Sequence, residues 1–225
     1  MKKILMLCGV AAAALYTGTV MLGGVLQPDY SHISMAISEL VADQAPNRPL
    51  LSSLFLLYNL LAGTFGIGLF LKASNTSQGR LNGRIGSLAL VAVGVAGILM
   101  ELAFPQEPGG TATTFAGTMH FVMAGVASLG TMLAILMMAF WFRNIPELNG
   151  YVVYSVISVA VVFVSGGMSV AAIANDFPFF GLIERITIFT FVLWMFVIAR
   201  KMVQGEETHH QQINLEIARS TSKGK

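Results

Sequence analysis

Apolar runs of about 20 residues recur along the chain, and each is long enough to cross a hydrocarbon core of roughly 30 Å as a helix. Six can be drawn, at about 4–26, 51–72, 85–104, 116–142, 151–174 and 183–203. Spans of this kind must be helical, because lipid offers no partner for an unpaired backbone N–H or C=O. The runs are also too continuously apolar for the alternating strands of a barrel. The pattern predicts an all-α polytopic membrane protein, a bundle of six transmembrane helices over 1–203, followed by a polar tail over 204–225 that is expected to be solvated and mobile. His209 and His210 in that tail are read as solvated rather than as metal ligands.

Composition supports the same class. Of 225 residues, 55% are hydrophobic and 11% charged, less than half the roughly 25% of a soluble domain. The single Cys8 excludes an internal disulfide and a multi-cysteine metal site. It lacks the small residue expected before a lipidated cysteine, and packing is its expected role.

Charge placement predicts orientation. Lys2 and Lys3 precede the first span, Lys72, Arg80 and Arg84 lie in the second connection, Arg143 in the fourth, and Arg200 and Lys201 close the sixth span. The odd-numbered connections hold only Arg48, with Arg185 just inside the sixth span. Both termini are therefore expected in the cytoplasm, the chain lying in the plasma (inner) membrane. "MKKILMLCGVAAAAL" resembles the start of a signal peptide, yet the apolar run continues to Leu26, past an h-region of about 7–15 residues. An uncleaved helix is expected. Small residues such as Ala14, Gly18, Gly63, Gly66, Gly94, Gly97, Gly117 and Gly125 suit close helix packing in lipid, and Gly166-Gly167 offers a place for the fifth helix to bend.

The acids gather on the other side. Asp29, Glu39, Asp43, Glu101, Glu107, Asp176 and Glu184 fall at or near the outer face against Arg48 and Arg185. The segment "DYSHISMAISELVAD", residues 29–43, holds several of them. Read as a helix, it places Ile33, Ile37, Leu40 and Val41 on one face and His32, Glu39 and Asp43 on another. Pro28 before it and "APNRP" after it are suitable breaks. A short amphipathic helix is expected here, either a lid presenting His32 and Glu39 or a connector with a wet acidic face.

Four spans add polar groups near the same level: Asn59, Glu101, His120, and the pair Glu184-Arg185. An ionisable residue within a span faces the bundle interior and is a functional hypothesis by default. The structural alternatives are a hydrogen-bonded core histidine for His120, and for Arg185 an ion pair with Glu101 or Glu39. On the functional reading His120 is the candidate base, with Glu39 or Glu101 as its partner in catalysis. His32, Asn59, Glu184 and Arg185 bind ligand, Arg185 clamping a phosphate or carboxylate. His32, His120, Glu39 and Glu101 have no metal-site spacing, so no metal is assigned. No motif identifies a cofactor, and a bis-histidine haem is disfavoured because only His120 is a natural axial ligand.

"ISELVADQAPNRPLLSSLFLLYNLLAGTFGIGLF", "ELAFPQEPGGTATTFAGTMHFVMAG" and "GLIERITIFTFVLWM" resemble the bacterial and archaeal membrane proteins of domain of unknown function family 998. The resemblance covers roughly residues 5–203. Its recurring parts fall on Ser38-Glu39, Asn59, Phe104-Pro105, His120 and Glu184-Arg185, which adds Ser38 to the candidate ligand-binding residues. The family's acid after Phe-Pro has Glu107 as its nearest counterpart. The resemblance implies a polytopic membrane protein with no established activity.

The functional expectation is an outer-facing polar pocket that binds or processes a lipid-like or amphipathic ligand, with the lipid bilayer as the other partner. Whether it is an enzyme is left open. The alternatives are a small-solute or proton-coupled transporter, disfavoured because the inner halves of the spans carry no charge except at their ends, and an accessory or assembly protein docking a partner. No nucleic-acid motif, phosphate loop or nucleophile elbow occurs.

Overall fold

A computed structural model of the chain describes residues 2–175 and 177–223, with side chains over 3–175 and 177–205. Asp176 and the side chains of His209 and His210 lie outside the described residues. Six helices follow in order: α1 (Lys2–Leu26), α2 (Arg48–Ser74), α3 (Arg80–Leu102), α4 (Phe115–Phe142), α5 (Val152–Ala174) and α6 (Phe180–Lys223). All six are long and apolar enough to cross a membrane, the sixth over Phe180–Gly205. The protein is a multi-pass helical membrane protein.

Each helix packs on its neighbours in sequence, and α6 closes onto α1. Short connections make these neighbours antiparallel. One end of the bundle therefore holds the chain's N-terminus, the α2–α3 and α4–α5 turns and the end of the α6 span. The other end holds the longer connections between α1 and α2 and between α3 and α4, and is called the capped end below.

Lipid supplies no hydrophobic force between helices, so approach depends on small residues. Gly86 and Gly94 of α3 serve two different partners. A Cβ at Gly94 would lie 2.9 Å from the Asn59 carbonyl oxygen and 3.2 Å from the Gly63 nitrogen of α2. One at Gly86 would lie 3.0 Å from the Ala134 carbonyl and 3.1 Å from the Met138 nitrogen of α4. Not every small residue works this way, since Gly18 and Gly125 have no protein atom near a Cβ position. The fifth helix runs unbroken through Gly166 and Gly167.

The interior away from the cap is filled by large side chains. Trp141, Phe142, Trp194, Phe65, Met138 and Met195 are all fully buried. Trp194 Nε1 donates to Ser155 Oγ at 2.9 Å, which joins α6 to α5. Nearer the cap, the Tyr16 ring packs against Phe55, Tyr58 and Phe189 with centroids 5.4, 4.6 and 6.0 Å away. Replacing Gly94 by Val should lower the stability of the detergent-solubilised protein by about 1–3 kcal/mol, the range for overpacking, in a thermal or denaturant titration. Gly125→Ala should leave it unchanged. An unshifted transition in Gly94→Val would contradict the close α2–α3 approach.

Candidate functional site

The connection between α1 and α2 folds into a cap over the bundle end. The short helix expected there is a 3-10 helix, Ile37–Val41, with Ile37, Leu40 and Val41 buried. Its extent is less than the 29–43 pattern predicts. Residues 32–34 form turns, and Ile33, which belongs to the apolar face of a full helix, is 53% exposed. Ser31 starts a turn, its Oγ accepting from the Ile33 and Ser34 amides at 3.4 and 3.3 Å, but the Ile33 carbonyl and the Ile37 amide, which would pair in a continued helix, bond to α6 instead. Glu39 Oε1 then accepts from the Ala36 amide at 2.9 Å, which opens the 3-10 turn. On the α1 side, a Cβ at Gly24 would overlap His32 Nε2 and one at Gly23 would press on Leu40. Gly23-Gly24 is the seat of the cap.

The start of α6 holds this cap from the other side. The Leu182 amide donates to Ile33 O at 2.9 Å, and Glu184 Oε2 accepts from the Ile37 amide at 2.7 Å. Arg185 Nη1 donates to Met35 O at 3.0 Å and to Gly181 O at 2.8 Å. Its Nη2 donates to the Tyr30 hydroxyl, which in turn donates to Ala36 O at 2.8 Å. Arg185 Nε is buried without a hydrogen-bond partner. The guanidinium is thus held by neutral oxygens, and not by Glu101 or Glu39. Burial pushes the Tyr30 hydroxyl up to about 12, outweighing the opposite pull of Arg185. Burial, then the Arg185 charge, lowers the His32 imidazole below its usual value. The His32 ring lies edge-on to Tyr30, centroids 5.2 Å apart.

A second anchor joins the cap to the α3–α4 connection. The Asp43 amide donates to Gln106 O at 2.9 Å, and Ser38 Oγ reaches Gln106 Oε1 at 3.4 Å. Gln27 Nε2 donates to Leu40 O at 3.1 Å, and Arg48 pairs with Asp43 at 2.7 Å. The α3–α4 connection is itself organised by Glu107. Its carboxylate accepts from the amides of Thr113 and Thr114, both at 2.8 Å, and from the hydroxyls of Thr111, Thr113 and Thr114 at 3.1, 2.7 and 2.5 Å. These donors, the Thr114 hydroxyl foremost, hold its pKa down to about 2. A Cβ at Gly117 would strike this carboxylate, so that glycine is what lets the loop fold onto α4.

The remaining candidates are engaged separately. His120 is buried and its Nδ1 lies 2.8 Å from Phe104 O; a carbonyl only accepts, so the proton is on Nδ1. Glu101 of α3 accepts from Ser52 of α2. Asn59 donates to Phe55 O at 2.9 Å and backs onto Gly97. The structure therefore gathers His32, Glu39, Glu184 and Arg185 around the cap and ties Ser38 to Gln106. It sets His120, Glu101 and Asn59 in helix contacts of their own. Among the described residues no group of three or more His, Cys, Asp or Glu is placed to hold a metal.

One groove opens at this end, about 220 Å³ in volume, between the cap and the turn at Pro108-Gly109. Gln27, Glu39, Asp43 and Gln44 form its polar wall, Met35, Ala42 and Ala45 its apolar one. Gln44 has a φ of 76°, a left-handed conformation unusual outside glycine. Of the candidates named from the sequence as site residues only Glu39 lines it. Tyr30, Gln106 and the Glu107 cradle were absent from that candidate set; the run of threonines four to seven residues after Glu107 is the visible signal for the last.

Because the folded-state pKa of Glu107 is lowered, its contribution to stability is complete above its ordinary value of 4.5 and is lost as pH falls through about 2. In pH-stepped unfolding the Glu107→Gln protein should be less stable at neutral pH and should lack this part of the acid slope. An identical acid slope would show that the cradle contributes nothing.

A family model described as Protein of unknown function (DUF998) matches residues 10–201, and the chain belongs to that family. No curated protein and no solved structure matches it.

Proposed function

We propose that this DUF998 protein binds the head of an amphipathic, lipid-like ligand in the cap groove, on the outer face of the plasma (inner) membrane, without performing chemistry on it. Both termini then lie in the cytoplasm. Support for this orientation comes from Lys3, Lys72, Arg80, Arg84, Arg143, Arg200 and Lys201, which belong to the end opposite the cap, against Arg48 and Arg185 at the capped end.

The observation that carries the reading is the mixed wall of the groove, apolar on one side and carboxylate and amide on the other. Such a lining suits a ligand with a short apolar neck and a hydrogen-bonding or cationic head. Asp43 is partly neutralised by Arg48. Glu39 commits one oxygen to the Ala36 amide and has the other for a ligand. Binding is favoured over catalysis because His120, the candidate base, does not line this groove. Binding is favoured over transport because Trp141, Phe142, Trp194 and Phe65 fill the bundle beneath.

A fluorescent long-chain amine and the acid of equal length test the reading in nanodiscs. The amine should bind more tightly, and Glu39→Gln should weaken it by about 10- to 100-fold, the equivalent of one hydrogen bond to a charged group. Equal binding of amine and acid, unaffected by Glu39→Gln, would refute the assignment.

A further inference from the structure

Beneath the cap, Tyr16 of α1 and Tyr58 of α2 bring their rings together with centroids 4.6 Å apart. Each lies about 15 Å from the capped end of its helix at about 1.5 Å per residue, which is close to half of the roughly 30 Å hydrocarbon core. Phe55 of α2 and Phe189 of α6 also pack on Tyr16. Tyr16 is 6% exposed and Tyr58 7%, so the pair sits inside the bundle and not on its lipid face.

Three oxygens here are left without partners. Neither phenol hydroxyl is hydrogen-bonded among the described residues. Toward the cap, Glu184 of α6 spends Oε2 on the Ile37 amide, and its Oε1 has no partner in that set either. The buried side-chain atoms that lack a partner and are also sealed from water are, among the described residues, Ser74 Oγ, Trp141 Nε1 and Arg185 Nε. The two phenol oxygens and Glu184 Oε1 are not of that kind. Each therefore borders space that a water molecule can touch.

The chemistry of these atoms chooses the occupant. A hydroxyl buried at this depth is costly unless something bonds to it, and hydrocarbon cannot. An ion is disfavoured, because Glu184 and Arg185 act on Tyr16 with opposite signs. The space calls for a small neutral molecule that both donates and accepts. An ordered internal water makes about three hydrogen bonds, and Tyr58, Tyr16 and Glu184 are the groups available to it. Farther from the cap Phe65 and Trp194 are fully buried, and the hydrated space ends there.

We infer that a short file of ordered water occupies the space beneath the cap, bonded to Tyr58 Oη, Tyr16 Oη and Glu184 Oε1. It is a water site within the membrane-spanning bundle, blind toward the opposite end. It is separate from the cap groove, which none of these three residues lines, and does not depend on Glu39.

X-ray radiolysis of the full chain in nanodiscs, with peptide mass spectrometry, tests the assignment, since water bound beside a buried ring delivers hydroxyl radical to it. Tyr16 and Tyr58 should be oxidised, whereas Trp194, whose indole is intrinsically more reactive, should be spared. Protection of both tyrosines equal to that of Trp194 would overturn the assignment. Stability gives an independent sign. A hydroxyl bonded to water contributes to stability, whereas a dry, unpaired one detracts from it. Tyr16→Phe and Tyr58→Phe should each lower the thermal midpoint by about 2–4 °C. An unchanged or higher midpoint in both variants would show the space to be dry.

Discussion

Irregular backbone at a membrane end has to find its hydrogen-bond partners within the protein, and that constraint shapes the capped end of this bundle. The α1–α2 connection carries only five residues of 3-10 helix, so its carbonyls and amides need partners from elsewhere. Arg185 supplies donors to Met35 O and Tyr30 Oη, and Glu184 an acceptor for the Ile37 amide. A guanidinium is suited to this task because its planar fork serves several acceptors at fixed angles. Buried at 9% exposure, it is stabilised by the dipoles of neutral oxygens rather than by a direct ion pair.

The polar residues of the capped end fall into three groups with one physical role. The α6 latch, the Glu107 cradle with His120 on Phe104 O, and the Ser52–Glu101 contact each satisfy a loop or tie two helices where lipid would leave polar atoms unpaired. Position in or beside a span and chemical type alone suggested a catalytic set of His120, Glu39 and Glu101. In three dimensions each of these groups has a local partner, and the available groove gathers Glu39 with Asp43, Gln27 and Gln44. Function is consequently assigned to the groove and its wall rather than to the rarest residues.

The six helices were legible because a bilayer imposes both length and continuity of apolar sequence, and nothing else in the chain mimics that pattern. The inward turn of Ile37, Leu40 and Val41 was legible for a similar reason, since their spacing is helical over one turn. The full amphipathic helix over 29–43 was not formed because the Ile33 carbonyl and the Ile37 amide bond to α6 instead of to each other, a long-range choice that periodicity does not register. Arg185 was recognisable as a buried cation, but its partners are backbone carbonyls, which carry no mark in the sequence. Glu107 was visible as the counterpart of the family's acid, but not its cradle, whose donors are threonines of an irregular loop. The role of Gly23-Gly24 as a seat for Leu40 and His32 depends on a contact between α1 and the cap that only the fold reveals.

The central claim is that Arg185 and Glu184 hold the cap closed on the bundle. Hydrogen exchange of the cap amides, residues 33–41, in wild type and Arg185→Lys tests it most directly. Lysine keeps the charge but cannot reach the carbonyl and phenol partners together. The account predicts cap exchange faster by about tenfold or more, the equivalent of about one lost hydrogen bond, with α2 and α3 protected as in the wild type. Unchanged protection over residues 33–41 would contradict it.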